Sequence, residues 1–510
     1  MNDVIATSLP DALERAAAEH PDVPFLTDTP WVHAAEEIRT QGQLARHVAE
    51  LADRLWSAGV RFGDQVVVCK RNNTDILAVA VAAQRLGAVP VLLSEKLLPE
   101  ELYASFEKLN RPYAVLDDHT AARFGDLAER LGKLTTALLS LSETEVTWLT
   151  HATATETHER HRNTLDEIAV INHTSGTTGY PKLVPHTHAS LYAHAAAIIA
   201  LSRSVSTQPG KSLRCLSFVH ARACSALLIL LELGMPLMAV TDPEPEHVKQ
   251  ILLDYQPDTI ETHPNIYLRW EGLAADPSRP LGSVRRYIGT FDAIHPRTVR
   301  ALITGSDQPD VVYLQGYGQT ECGPITVGIA SRANLDTLES RVVGAPLGGF
   351  TEVRVVDDEG TELPAGTAGN LQVKTHGLQV GYVGGEQLAP GSWWNLGDVG
   401  RLREDGLLEL HDRAFDKAEG RVSLLELEDR LLGALPELAE VVFVKPEDGL
   451  VAVVCPRDGE TLDSARWDEL AAELGIAEVP VVQRRWEEIP FTGSWKVRRN
   501  LLARALQAAE

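Results

Sequence analysis

The chain has 510 residues, more than one hydrophobic core usually supports, and this length points to roughly three core-sized units. Hydrophobic residues make up 44% and charged residues 23%, the balance of a folded globular protein, which excludes disordered and fibrous classes. A formal net charge of -24 disfavours nucleic acid and anionic membrane as partners, so an anionic ligand needs a local site of backbone donors and lysine.

The N-terminal stretch lacks the basic segment and apolar core of a signal peptide. The cysteines Cys69, Cys215, Cys224, Cys322 and Cys455 are odd in number and contain no Cys-x-x-Cys pair, which argues against disulfides and against a metal site. Together these features imply a cytoplasmic enzyme. From Gln65 short apolar runs alternate with helix-compatible segments: Gln65 to Lys70, Asp75 to Leu86, Val89 to Leu93, Glu100 to Leu109, then Tyr113 to Leu116. That rhythm predicts βαβ units and a mostly parallel sheet. The polar stretch His151 to Arg162 reads as a solvated linker, because its histidines have no acidic or Cys partners at ligand spacing. A second α/β lobe follows, with strands at Leu213 to Phe218, Pro236 to Thr241, Thr259 to Thr262, Arg286 to Gly289 and Val311 to Gln315. Ala223 to Val240 is the most apolar run, but Glu232, Gly234 and Pro236 interrupt it, so it reads as a buried helix leading into a strand rather than a membrane span. Short strands with Gly and Pro turns fill Arg341 to Leu410 and fit antiparallel structure. The last hundred or so residues read as a small α+β unit, with strands at Val441 to Val444 and Leu450 to Val454 and helices at Ser464 to Leu474 and Val497 to Ala508.

Chemistry concentrates first in Asp166 to His188, DEIAVINHTSGTTGYPKLVPHTH, a strand followed by a loop of hydroxyls and glycines. Gly176 and Gly179 let backbone amides approach an anion. Thr174, Ser175, Thr177 and Thr178 supply hydroxyls, and Lys182 supplies charge. This is a polyphosphate cradle but not a Walker loop, because Tyr180-Pro181 separates Gly179 from Lys182.

The loop resembles that of the adenylate-forming superfamily of acyl-CoA synthetases, peptide-synthetase adenylation domains and luciferases, and the resemblance covers almost the whole chain. It implies an α/β fold: a large N-terminal domain, 1–411, of two α/β lobes and a small β-barrel-like subdomain, then a small mobile α+β domain, 412–510. It implies that Thr174 to Lys182 bind ATP phosphates. In Gly316-Tyr317-Gly318-Gln319-Thr320-Glu321, Tyr317 would stack on adenine, Thr320 would lie near the α-phosphate and Glu321 would bind Mg2+. Asp398, with Arg413, would hold the ribose, although Leu396 replaces the usual Thr. Lys496, in Pro490 to Arg499, would be catalytic over the α-phosphate, with Trp495 in place of the usual Gly. Gly289 would border adenine, where Thr290, Phe291 and Asp292 replace small residues. His220 would gate the acid pocket, against a core or surface reading, and Arg222 would contact an anionic group or, as the favoured expectation, snorkel.

The implied activity is ATP-dependent activation of a carboxylic acid as acyl-AMP with pyrophosphate release. Transfer to a thiol would follow, either coenzyme A or the phosphopantetheine arm of a separate acyl carrier protein. The run Arg413 to Gly420 is shorter than the family's hinge. This keeps open adenylation with a non-thiol acceptor or an unusual oxyanion. A catalytically inactive nucleotide-binding protein is the third reading, opposed by the joint presence of Lys182, Glu321 and Lys496.

Overall fold

The computed structural model describes residues 6–34, 36–174, 180–205, 210–291, 294–413, 424–446, 449–457, 460–492 and 496–507. Among them the strands form four sheets. The first runs in the order Thr150–His151, Ala137–Ser140, Tyr113–Val115, Gln65–Val68, Val89–Leu92, Ile168–His173, Leu183–Thr187, parallel except for its last pair. The second runs Phe25–Thr27, Leu237–Ala239, Ser212–Cys215, Thr259–Thr262, Arg286–Gly289, Val312–Gln319, Gly323–Ser331, Ala345–Pro346, parallel up to Val312–Gln319. These are the two α/β lobes anticipated from the alternation. The third is an antiparallel sheet of Thr351–Val356, Gly369–Thr375, Trp394–Leu402 and Leu408–Arg413, where short strands with Gly turns were expected. The fourth, Leu438–Val444, Val451–Pro456 and Val481–Gln483, forms the core of the C-terminal α+β unit with helices Leu424–Ala434, Ser464–Glu473 and Arg499–Gln507.

Local sequence accounts for the elements that matter most. Helix Ala221–Leu233 ends at Gly234, whose φ of 58° is the left-handed cap that glycine adopts without penalty, and the chain then enters strand Leu237–Ala239. No described helix is long and apolar enough to cross a membrane. Strand Phe25–Thr27 went unpredicted. Three residues carry no measurable period, and its partner Leu237–Ala239 lies far along the chain. The segment from His151 to Arg162 is mostly exposed, as expected of a solvated linker, but its side chains do find acidic partners. His158 Nδ1 lies 2.8 Å from Asp53 and is nearly buried, Arg160 pairs with Asp11 and Glu14, and His161 meets Glu167 at 2.9 Å, so its charges strap it to the first lobe.

The C-terminal unit is tied to the rest by side chains of both. Arg498 pairs with Glu101 at 3.2 Å, Arg457 with Glu271 at 2.6 Å and Arg341 with Glu426 at 3.4 Å. Arg297 donates to the carbonyls of Leu432 and Leu438, and Ser340 to Asp429.

Several histidines among the described residues are buried and held neutral. Burial pushes His33, His47, His188 and His194 down to about 4, and His186 to about 3. The unfolded chain therefore binds more protons than the folded one between the ordinary value of 6.5 and about 4, so stability is full above 6.5 and falls as pH drops through that window. Each such group contributes up to about 1.4 kcal/mol per pH unit. The thermal unfolding midpoint should be lower at pH 5.5 than at pH 7.5, and a midpoint that is flat or rises on acidification would show that these imidazoles are not held neutral.

Candidate active site

The register of the second sheet builds the site. Cys215 pairs with Thr262, Thr262 with Gly289, and Gly289 with Gln315, so the parallel pairing of four strands stops at one level, three ending there and the fourth running on to Gln319 as one arm of a hairpin. Every segment leaving those ends carries a candidate residue: Leu216 to His220, His263, Thr290 and Phe291, and Gly316 to Glu321. Ligands of open parallel sheets lie in the crevice outside such ends. The first lobe closes it from the other side. Asn72 donates to the carbonyl of Leu216 at 3.1 Å and accepts from the Phe218 amide at 2.8 Å, while Asn172 donates to the carbonyl of Val219 at 2.6 Å. A cavity of about 2020 Å³ results, with Thr174, Lys182, His220, Thr320, Glu321, Asp398 and Lys496 on its walls. Its volume exceeds the roughly 300–1,000 Å³ of a typical small-molecule pocket, which suits a nucleotide together with a second substrate.

The phosphate loop is pinned at both ends. The Thr174 amide donates to the carbonyl of Lys182 at 3.0 Å and the Lys182 amide to Thr174 Oγ1 at 3.1 Å. Ser175, Gly176, Thr177, Thr178 and Gly179 lie outside the described residues. Lys182 places Nζ 4.8 Å from the centre of the Tyr382 ring, and Tyr382 Oη donates to Glu321 Oε1 at 2.8 Å. The loop cation and the candidate metal carboxylate thus share one tyrosine, which no motif around it singles out. Among the described residues no group of three or more His, Cys, Asp or Glu could hold a metal by itself. Mg2+ commonly takes one or two carboxylates plus substrate phosphates, and Glu321 beside Lys182 suits that arrangement.

Gly316 to Gln319 continue strand Val312–Gln319 and pair antiparallel with Gly323–Ser331, with an irregularity at Tyr317 and Gly318, while Thr320 and Glu321 stand in the turn between the two strands. Tyr317 Oη donates to Asp398 Oδ2 at 2.6 Å and Gln319 Nε2 to the same oxygen at 3.1 Å. Leu396 is buried in the core of the third sheet and accepts from Gln319 through its carbonyl. The backbone of Arg413 pairs with Asp398 across strands Trp394–Leu402 and Leu408–Arg413. The remainder of the proposed hinge, 414–420, lies outside the described residues, as do Asp292 and Trp495.

Lys496 stands on a hairpin closed by the Phe491–Val497 bridge, with the Thr492 amide donating to its carbonyl at 2.8 Å and its own amide to Thr492 Oγ1 at 3.1 Å. Its charge reaches the cavity, where burial, then His263 and Lys496, hold the His220 imidazole well below its ordinary value. His220 is therefore neutral, and its tautomer follows from its contacts. Nδ1 accepts from the Arg222 amide at 3.1 Å, so Nε2 carries the proton and donates to Thr320 Oγ1 at 3.2 Å. His220 caps helix Ala221–Leu233 and also packs on Phe291, ring centres 4.6 Å apart, which stacks in turn on His263 at 4.1 Å. Phe291 has a φ of 86°, costly for a bulky residue and characteristic of ligand sites. Arg222 does not snorkel: its side chain is about 10% exposed and binds Glu261 through two bonds, Nε to Oε1 at 2.5 Å and Nη2 to Oε2 at 2.9 Å. Arg214 pairs with the same carboxylate. The sequence pass missed Glu261, although a carboxylate between Ile260 and Thr262 in a core strand was the signal.

The family model described as AMP-binding enzyme matches residues 13–383. The chain is 36% identical to 3-amino-2-hydroxy-4-methoxybenzoate diazotase of Streptomyces cremeus, over 98% of this chain and 95% of that one. It is 27% identical to a feruloyl-CoA synthase of an Amycolatopsis species, covering 91% and 93%. Among solved structures, an amide bond synthetase from Marinactinospora thermotolerans superposes with a TM-score of 0.75 at 24% identity over 98% of this chain and 99% of that one. An anthranilate CoA ligase bound to anthranoyl-AMP superposes with a TM-score of 0.80 at 19% identity, over 100% and 99%. The two structural likenesses establish the shared fold.

Gly289 provides a mechanical test of the site wall. A Cβ there would lie 1.7 Å from Tyr313 Oη, a buried hydroxyl with no hydrogen-bond partner among the described residues. Gly289→Ala should destabilise by about 1–3 kcal/mol. Tyr313→Phe alone should be neutral or stabilising, and adding it to Gly289→Ala should restore part of the loss in denaturant unfolding. Additive effects of the two substitutions would refute the clash.

Proposed function

Since the chain belongs to the AMP-binding enzyme family, whose members form adenylates, we propose that it activates nitrite with ATP and transfers the nitrosyl group to a primary aromatic amine, yielding a diazonium product. The observation that carries this reading is the 36% identity over 98% of the chain to a diazotase acting on an aminobenzoate. It is the non-thiol, unusual-oxyanion branch of the sequence reading. Phe291 supports it, because an aromatic ring where the family resemblance leads one to expect a small residue fills space beside His220 and suits a small oxyanion.

The reaction balances without an external oxidant or reductant. A nitrite oxygen attacks the α-phosphorus of ATP and pyrophosphate leaves. The amine nitrogen then attacks the nitrosyl nitrogen, breaking its bond to the AMP oxygen and releasing AMP and a proton. The N-nitrosamine tautomerises to a diazohydroxide, which takes up a proton and loses water.

In this scheme residues 1–411 form the nucleotide- and substrate-binding part and 412–510 the unit that delivers Lys496. Thr174 to Lys182 hold the phosphates, Tyr317 and Gly289 border the adenine, and Asp398 with Arg413 takes the ribose hydroxyls. Glu321 would hold Mg2+, which when bound would supply positive charge against the phosphates. Lys496 meets the charge that develops at the α-phosphate, and Thr320, oriented by His220, donates beside it. The competing reading, acyl-AMP formation and transfer to coenzyme A or a carrier-protein thiol, is supported by the 27% identity to a feruloyl-CoA synthase.

One assay separates them. With ATP, Mg2+ and 3-amino-2-hydroxybenzoate, pyrophosphate release should require nitrite, and nitrogen-15 from labelled nitrite should appear in the diazo group. Thioester formation with coenzyme A in the absence of nitrite would overturn the proposal. Lys496→Ala should lower nitrite-dependent pyrophosphate release by a factor on the order of 10² to 10³ while changing ATP affinity far less. Equal losses in both would remove Lys496 from the chemical step.

A further inference from the structure

The buried cluster of Arg214, Arg222 and Glu261 has no part in handling ATP, and its charges do not cancel. Glu261 faces Arg214 across the paired strands Thr259–Thr262 and Ser212–Cys215, and its side chain is fully buried. Arg222, in the first turn of helix Ala221–Leu233, reaches the same carboxylate. Two guanidiniums on one carboxylate leave a net charge of one positive unit. Burial lowers Arg214 to about 9 and Arg222 to about 10, still well above neutral pH, so both stay charged. The neighbouring imidazoles of His220 and His194 are neutral and offset nothing.

Burying an ion is costly unless a partner compensates it, and one arginine would have satisfied Glu261. The second is an uncompensated buried cation. Both arginines, and not Glu261, line the cavity. Arg222 spends Nε and Nη2 on Glu261, which leaves Nη1 of its planar fork. His220 joins the backbone of Arg222 to the Thr320 hydroxyl, and Phe291, stacked on the buried His263, lines the same cavity as the two arginines.

We propose that Arg222, held in place with Arg214 by Glu261, binds the ring carboxylate of an aminoaryl carboxylate as a spectator anion, so that the pocket selects amines bearing a carboxyl group that is never activated. This rests on the diazotisation reading. The carboxylate completes the charge balance of the cluster, and anchoring it there presents the amine on the opposite side of the ring to the nitrosyl donor at Thr320 and Lys496.

The test compares 3-amino-2-hydroxybenzoate with 2-aminophenol, the same ring without its carboxylate. The wild type should favour the carboxylated amine in kcat/KM. Arg222→Gln, which makes the cluster neutral, should reduce kcat/KM for 3-amino-2-hydroxybenzoate by about 10²-fold, mainly through KM. The loss for 2-aminophenol should be at least tenfold smaller. Arg222→Gln with Glu261→Gln restores the single positive charge and should recover part of the preference, which a merely structural ion pair would not do. Equal losses for the two amines, or no recovery in the double variant, would overturn the proposal. Calorimetric binding of the two rings to the full chain, which needs no turnover, keeps the outcomes distinct. If neither amine supports nitrite-dependent pyrophosphate release, the diazotisation reading fails, while the arginine assignment still stands or falls on whether Arg222→Gln abolishes the binding preference for the carboxylated ring.

Discussion

The site depends on one constraint, the common level at which parallel pairing stops, at Cys215, Thr262, Gly289 and Gln315, beyond which only the last strand runs on, into a hairpin. A parallel strand must hand its chain to a crossover at its C-terminal end, so the residues just after those ends are exposed together. That shared edge places His220, His263, Phe291 and Thr320 around one space although they lie far apart along the chain. It also explains the limited tolerance for bulk beneath them. Gly289 sits against Tyr313, and Gly318 would bring a Cβ to 2.3 Å from the Gly323 carbonyl, so the wall is set by backbone packing rather than by adjustable side chains.

Electrostatics gives the same edge its chemical character. A chain of formal charge -24 repels anions at a distance, yet its cavity carries Lys182, Lys496, Arg214 and Arg222. Each cation is held by a different device: a tyrosine face for Lys182, a hairpin from the C-terminal unit for Lys496, and a buried carboxylate for the two arginines. Neutral histidines separate them. Keeping His220 uncharged is part of this arrangement, since a protonated imidazole could not accept the Arg222 amide that starts the helix.

The chain's periodicity disclosed the two α/β lobes because strands and helices there carry strong local patterns, and the glycine-rich and Tyr-Gly-Gln-Thr-Glu motifs pointed to residues that the fold brings to one cavity. What stayed hidden depends on tertiary pairing. Phe25–Thr27 is a strand only because Leu237–Ala239 lies beside it. The straps of His158 and Arg160 need partners at Asp53, Asp11 and Glu14, from the N-terminal helices. Arg222 read as a snorkelling side chain because Glu261 lies 39 residues away and only the strand register brings them together. Tyr382, which links Lys182 to Glu321, belongs to an irregular segment with no motif around it.

The docking of the C-terminal unit bears on the proposed chemistry. The hairpin that carries Lys496 is held down, and the hold is specific: Arg498, two residues on, is nearly buried against Glu101 Oε2, the oxygen that also accepts from the Leu98 amide and so fixes the start of helix Pro99–Glu107. A buried pair of this kind is costly to break from one side, so it favours a single docked arrangement over a range of them. A thiol acceptor on a long pantetheine arm would require the unit to move and open a second approach. A nitrite ion and an arylamine are both small enough to enter the one cavity, so adenylation and nitrosyl transfer can proceed with Arg498 and Glu101 still joined. On the proposed chemistry, the shortened sequence between the two parts and the anchoring of the hairpin would serve one requirement: to keep Lys496 over the reacting phosphate through both steps.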